Sequence, residues 1–268
     1  MKKRKLLRTA FFLIFLGIML FAAWKLYGIW QEYREGIKTY DDLADRYTKP
    51  VGPGAAEDQM PAIGEGGGKT IPISVSFDAL MAECPDVVAW LYCEGTPINY
   101  PIVQGEDNEY YMYRLMDGKY NKSGTLFMDC RNQADFSDWN TIIYGHNMKN
   151  GSMFGTLLKY QDPKYYEEHP VMYLLTPEKH YEIKLVSAYV TPADSETYTI
   201  PETQAEKEAM LLKAYRTSSF ISGVQPLRED RMITLSTCAY DFQDARYVVL
   251  GLLRELPNGG GSAAETVE

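Results

Sequence analysis

The sequence predicts a mainly β protein: a closed or nearly closed β-barrel of seven or eight strands with short inserted helices, preceded by an N-terminal transmembrane helix. Three observations carry this expectation. Residues 10–30 are almost wholly apolar and follow a basic cluster; residues 71–256 alternate short β-branched and aromatic runs with turn residues; and the last two runs are close enough in sequence to be neighbours in a sheet.

Lys2, Lys3, Arg4, Lys5 and Arg8 precede the run from Ala10 to Trp30, whose 21 residues match the roughly 20 that cross a bilayer as a helix. Trp24, Tyr27 and Trp30 stand where an interfacial aromatic belt belongs, and Lys25 can snorkel toward headgroups. The positive-inside rule then makes residues 1–9 a cytoplasmic tail and puts the rest of a single-pass protein outside the cell membrane. A cleaved signal peptide, with Ala22-Ala23 as a weak cleavage site, is the rival reading; the length of the span favours an anchor.

Gln31 to Tyr47 reads as a helical stalk, with Tyr33, Ile37, Tyr40 and Leu43 at helix-like spacing. The Pro- and Gly-rich stretch from Lys49 to Lys69 reads as a flexible spacer, so residues 31–70 form stalk and linker. Residues 71–256 have the length of one domain, here extracellular, and 257–268 read as a tail. Residues 1–30 hold six of the 27 Lys and Arg and none of the 36 Asp and Glu, leaving residues 31–268 with a net charge of −15. That balance argues against a nucleic-acid partner.

Within the domain, Ser76 caps a short helix reaching Met81. Val87–Tyr92 and Ile98–Val103 read as strands around a turn at Glu94-Gly95-Thr96-Pro97. Asp107–Arg114 reads as helix, Thr125–Met128 and Thr141–Tyr144 as strands, and Met153–Tyr160 as helix. Val171–Leu175 and Tyr181–Val190 suggest a hairpin, and Thr203 with Glu206 forms a capping box that opens a helix to about Tyr215. Arg231–Cys238 and Tyr247–Leu253 form the last two strands. The connection from Ala239 to Ala245 is short enough to make them antiparallel neighbours.

Cys238 then closes one strand and Arg246 opens the next, setting a thiol beside a permanent cation. Such a cation stabilises the reactive thiolate, although a buried core cysteine is the ordinary alternative. Of the three histidines, His169 precedes Pro170 at a helix end and His180 follows Pro177-Glu178-Lys179 in a turn, where solvation explains it. His146 follows an apolar strand in Tyr144-Gly145-His146-Asn147, at a strand-to-loop junction of the kind that carries catalytic groups. The sequence has no CxxC, HxxxH or carboxylate cluster with ligand spacing, so neither a metal nor a cofactor is expected. With Cys238 free, Cys84, Cys93 and Cys130 cannot all pair within the molecule, which fits a reducing niche better than a disulfide scaffold.

Thr234-Leu235-Ser236-Thr237-Cys238 with an Arg eight residues on, Tyr144-Gly145-His146-Asn147 upstream and the N-terminal anchor resemble a sortase of Gram-positive bacteria. The resemblance is closest to class B. It runs from about Ser76 to Leu253 and includes Tyr100-Pro101-Ile102-Val103-Gln104-Gly105 and Gly124-Thr125-Leu126-Phe127-Met128-Asp129. It implies a sortase-like barrel and a cysteine transpeptidase that cuts a surface-protein sorting signal, of an Asn-Pro-x-Thr or related type, and joins it to an amine of a lipid-linked peptidoglycan precursor.

Under this resemblance Cys238 attacks the carbonyl of the signal's Thr and His146 acts as general acid and then base. Arg246 stabilises the oxyanion or holds the substrate backbone. The resemblance also assigns Asn108, Tyr144, Ser236 and Thr237 to the peptide groove, with Tyr198 in the segment before the catalytic strand. Asp241 and Asp244 read as loop residues. Two other readings stay open: a secreted cysteine peptidase that passes the same acyl group to water, and a non-catalytic anchored binding protein.

Overall fold

The computed structural model describes residues 2–51 and 71–256; the expected spacer and tail fall mostly or wholly outside the described residues. The apolar N-terminus and the stalk form one continuous helix, α1 (Lys2–Tyr47). Within it, Leu7–Tyr47 contains a stretch long and apolar enough to cross a membrane, judged by length and composition. Phe11, Phe12, Phe15 and Trp24 are exposed along that stretch. The stalk half continues the anchor helix as expected and, in addition, buries Tyr40, Leu43 and Tyr47 against the rest of the protein.

After α1, β1 (Thr48–Pro50) pairs antiparallel with β2 (Ile73–Val75) in a two-stranded ribbon separate from the main sheet. Next comes α2 (Phe77–Glu83), with Ser76 at its N-cap position. The Ser76 side chain makes no capping hydrogen bond, so the sequence located the helix start while mistaking what holds it.

The barrel is built from β3 (Val87–Tyr92), β4 (Asn99–Val103), β5 (Leu126–Met128), β6 (Asn140–Tyr144), β7 (Val171–Leu175), β8 (His180–Pro192), β9 (Arg231–Cys238) and β10 (Ala245–Leu256). Its closed order is β10-β8-β7-β3-β4-β5-β6-β9. The β4–β5 and β6–β9 pairings are parallel and the others antiparallel, so the closed sheet is mixed. Closure leaves no edge strand open to further pairing.

Two expected helices are reduced to 3₁₀ turns. Between β4 and β5 only Tyr110–Tyr113 is helical, because Arg114 is extended and bridges to Tyr120. Asp107 Oδ1 accepts from the Glu109 and Tyr110 amides at 2.8 and 2.7 Å and caps that single turn. Beyond β6, Met153 takes a positive φ of 52°, so the 3₁₀ turn Gly155–Gln161 begins only after it. The helix end expected before Pro170 is that of α3 (Pro163–Glu168), with Asp162 as its N-cap and His169 as its C-cap. The turn Glu196–Tyr198 precedes α4 (Gln204–Thr217), whose Thr203–Glu206 capping box is formed as expected.

His180 departs from its expected solvated turn: it is the first residue of β8 and half-buried. Burial pushes its pKa down from the usual imidazole value. The hairpin is longer than its apolar run because the last residues of β10 pair with the start of β8, Leu256 opposite His180.

Alternation along the last two strands decides what can be a site. Ile233, Leu235, Tyr247 and Val249 point into the barrel core, whereas Met232, Val248, Leu250 and Leu252 face outward under Leu211 and Ala214 of α4. By the same period of two, Thr234, Ser236, Cys238 and Arg246 lie on the outer face. These candidate residues therefore stand on the barrel wall, beyond the patch that α4 covers.

Candidate active site

Cys238 and Arg246 are direct partners across the β9–β10 ladder. Opposed residues of an antiparallel pair share a face with Cβ atoms about 4.5–5.5 Å apart, so the thiol and the guanidinium occupy one patch. The connecting loop closes tightly, with the Ala239 amide donating to the Ala245 carbonyl at 3.0 Å. Asp241 and Asp244 are exposed in that loop, as the sequence suggested, and do not line the cleft.

His146 arrives from the other side of β9. β6 runs parallel to β9 with Tyr144 opposite Ser236, and the Gly145 amide donates to the Ser236 carbonyl at 3.1 Å. Thr237 Oγ1 donates to the Gly145 carbonyl at 2.7 Å, and Asn147 Nδ2 to the Cys238 carbonyl at 2.8 Å. His146 is thus flanked by residues tied to the strand that ends in Cys238. Gly145 is required there: a Cβ would overlap Leu126 and come within 2.7 Å of the Phe154 ring.

The imidazole is held by one backbone group. Its Nε2 lies 2.5 Å from the Met112 carbonyl oxygen. A carbonyl only accepts, so Nε2 carries the proton and Nδ1 is the acceptor nitrogen of the neutral ring. Burial lowers the His146 pKa, opposed by the Met112 bond, and the neutral form is favoured at physiological pH. The Tyr113 ring lies 5.3 Å from the imidazole, centroid to centroid.

These groups line a cleft of about 340 Å³ together with Asn108, Tyr144, Ser236 and Thr237. A space of that size takes several residues of an extended peptide. None of its lining residues is a carboxylate. Of the expected groove residues, Thr237 turns its hydroxyl to the Gly145 carbonyl, and Asn108 Oδ1 accepts from the Cys130 amide at 2.8 Å.

Tyr198 stands beside the cleft. Its hydroxyl is 2.8 Å from Ser236 Oγ, and its ring stacks on Tyr144 with centroids 6.1 Å apart. Burial pushes the Tyr198 phenol up to about 12, partly offset by the Ser236 hydrogen bond and the charge of Arg246. The structure therefore brings all eight sequence-selected residues to one region.

Sequence reasoning missed the support beneath the tyrosines. Asp129 is fully buried and accepts from Arg131 through both oxygens, at 2.9 and 2.8 Å, and from the Tyr144 hydroxyl at 2.9 Å. Burial alone would raise its pKa, but the Arg131 and Tyr144 bonds outweigh that and hold it at about 2. Arg131 also donates to the Tyr198 carbonyl at 3.2 Å, so one ion pair steadies both rings. The Asp129-x-Arg131 spacing was visible, yet it resembles any solvated loop pair. The Met112 carbonyl is a backbone group and leaves no residue-type signal at all.

All four cysteines are free; Cys84 and Cys93 are buried and Cys130 is exposed. Among the described residues no group of three or more His, Cys, Asp or Glu is assembled that could hold a metal ion.

A free thiol, an imidazole with one nitrogen engaged and a guanidinium thus meet at one cleft of a mixed β-barrel, groups whose chemistry suits acyl transfer. Comparison with known proteins gives the same class. The Sortase domain family model matches residues 91–254. The chain is 34% identical to sortase B of Listeria monocytogenes over 94% of this chain and 99% of that protein. It is 33% identical to sortase B of Staphylococcus aureus over 65% and 72%.

Among solved structures, sortase B from B. anthracis in complex with AAEK1 superposes with a TM-score of 0.69 at 30% identity, covering 84% of this chain and 98% of that one. A Staphylococcus aureus sortase B–substrate complex gives 0.64 at 31%, covering 67% and 85%. The chain belongs to the sortase family. Its similarities fall in class B, and it is a sortase-type cysteine transpeptidase.

Proposed function

We propose that this sortase is held in the cell membrane by residues 10–30, with residues 1–9 cytoplasmic and the barrel extracellular. There it cleaves an Asn-Pro-x-Thr-type or related sorting signal after Thr and transfers the new acyl end to an amine of a lipid-linked peptidoglycan precursor. The reading rests above all on the direct pairing of Cys238 with Arg246 next to an imidazole whose Nε2 is already engaged. The basic residues before the span and the excess of acid after it support the orientation.

In the proposed reaction Cys238 Sγ bonds to the Thr carbonyl carbon while His146 Nδ1 takes the thiol proton. The carbonyl oxygen becomes an oxyanion beside Arg246, whose planar multi-donor cation suits that developing charge. Collapse breaks the C–N bond, and the imidazolium gives its proton to the leaving amine. The acceptor amine then attacks the thioester, His146 removes its proton, and Cys238 leaves as the acyl group forms a new amide. Asn108, Tyr144, Tyr198, Ser236 and Thr237 are the proposed peptide contacts, with the Asp129–Arg131 pair holding the two rings in place.

The test incubates the full chain in detergent micelles with quenched-fluorescent sorting peptides, with and without an amine acceptor, and identifies products by mass spectrometry. Thr–acceptor amides that form with wild type and vanish in Cys238→Ala support the reading. Products released only to water, whatever amine is supplied, favour the peptidase alternative.

A further inference from the structure

The stalk half of α1 is fastened to the elements that hold His146. We propose that Tyr40 positions His146, so that the helix entering the bilayer also sets the geometry of the proton carrier. This rests on the role given to His146 above.

Tyr40 is 2% exposed and reaches the His146 support by two routes. On the first, its hydroxyl shares its proton between the Gly124 carbonyl at 2.6 Å and Thr125 Oγ1 at 2.8 Å. Thr125 Oγ1 donates to the Arg114 carbonyl at 2.8 Å, and the Thr125 amide to the Tyr111 carbonyl at 3.0 Å. Those two bonds bracket Met112, whose carbonyl holds His146 Nε2. Gly124 has a φ of +57°, and a Cβ there would collide with the Met112 and Tyr111 carbonyl oxygens, so the 124–125 backbone lies directly against the turn. On the second route, the Tyr40 ring packs edge-on against Tyr100 at 5.5 Å. The Tyr100 hydroxyl accepts from the Met153 amide at 3.1 Å, and Met153 bridges to Asn147, the residue after His146.

α1 is also docked on either side of Tyr40. Glu32 ties α1 to the same loop through its carbonyl, which accepts from Asn121 Nδ2 at 3.2 Å, and through a salt bridge to Lys122 at 3.0 Å. At the other end Tyr47 donates to Glu83 at the close of α2. Tyr40 alone among these residues touches both the loop that presents Met112 and the neighbour of Met153. An imidazole with only one bonded nitrogen has little else to keep its ring plane, and sub-ångström misplacement of a proton carrier is costly in rate.

The test compares wild type, Tyr40→Phe and, as a matched hydroxyl deletion on the same helix, Tyr47→Phe. All are full chains in nanodiscs, with ¹⁵N-labelled imidazoles for NMR and with sorting-peptide turnover measured in parallel. Tyr40→Phe is expected to lower kcat about three- to tenfold, the range for one buried hydrogen bond, with KM within about twofold. It is also expected to turn the His146 signal from a single Nε2–H tautomer into an averaged mixture. Tyr47→Phe should leave kcat and tautomer as in wild type.

An unaltered Nε2–H signal or a wild-type kcat in Tyr40→Phe overturns the proposal, and so does Tyr47→Phe reproducing both changes. The imidazole signal needs no substrate. A wild-type chain that joins no peptide to any amine would therefore remove the transpeptidase reading and leave the positioning of His146 to be judged on the tautomer alone.

Discussion

Arg246 lies opposite Cys238 in the register of β9 and β10, on the outer face of the barrel. Because the pair is set by strand register, a substitution at position 246 changes the chemistry of the side chain without moving its Cα. In the proposed reaction Arg246 meets the oxyanion, so Arg246→Lys should cost about 10²- to 10³-fold in kcat, the usual loss for one oxyanion donor. Steady-state kinetics on a sorting peptide check this, and an unchanged kcat removes Arg246 from the mechanism.

The Asp129–Arg131 pair predicts a different split between kinetics and stability. Asp129→Asn weakens the hold on the Tyr144 hydroxyl and on Arg131, and with it the support of the Tyr198 carbonyl. The depressed Asp129 pKa of about 2 means that its ionised form stabilises the fold at pH 7. That stabilisation is present above the unfolded value of 3.8 and lost as pH falls through about 2. Allowing for the exposure of Arg131, Asp129→Asn should cost about 1–2 kcal/mol in urea unfolding at pH 7. It should also raise KM for the peptide more than it lowers kcat.

Burial gives a second loss of stability on acidification, at higher pH. His146 and His180 both have pKa values lowered by burial, so the unfolded chain binds protons that the folded one resists. Their contribution is fully present above the unfolded histidine value of about 6.5 and falls as pH drops below it, by at most about 1.4 kcal/mol per pH unit for each group. Urea midpoints should therefore fall between pH 7.5 and 5.5, and His180→Gln should flatten that slope. Equal midpoints at the two pH values would contradict the assignment of both rings as buried and neutral.

Thiol chemistry offers a simple count. Titration of the unfolded chain without reductant should find four thiols, since Cys84, Cys93, Cys130 and Cys238 are all unpaired. In the folded chain Cys84 and Cys93 should react last, because both are buried and burial raises their pKa. A stoichiometric bridge involving Cys238 would contradict its role as nucleophile in that form.

Much of this architecture was legible because it rests on short-range rules. Val87–Tyr92 and Val171–Leu175 match their strands residue for residue, and Thr203 with Glu206 marks the start of α4 through a bond between those two residues. The pairing of Cys238 with Arg246 followed from a short connection between two apolar runs. Long-range contacts were not legible. Nothing local to Gln31–Tyr47 says that Tyr40 will meet Gly124, 84 residues away, so the helix was legible and its docking was not. The Met112 carbonyl is specified by a backbone position, and Asp107–Arg114 carries enough helical pattern to hide that its last residue turns extended. His180 was misplaced because its burial comes from pairing with Leu256 at the far end of β10.

The most direct test of the central claim is capture of the acyl-enzyme. Full-length protein mixed with an Asn-Pro-x-Thr peptide and quenched in acid before an acceptor amine is added should carry the peptide's N-terminal part, through Thr, as a hydroxylamine-labile thioester. Tandem mass spectrometry should place it on Cys238, and a later pulse of amine should discharge it to a Thr–amine amide. Peptide cleavage with no adduct on Cys238, or with an adduct on another residue, would contradict the account.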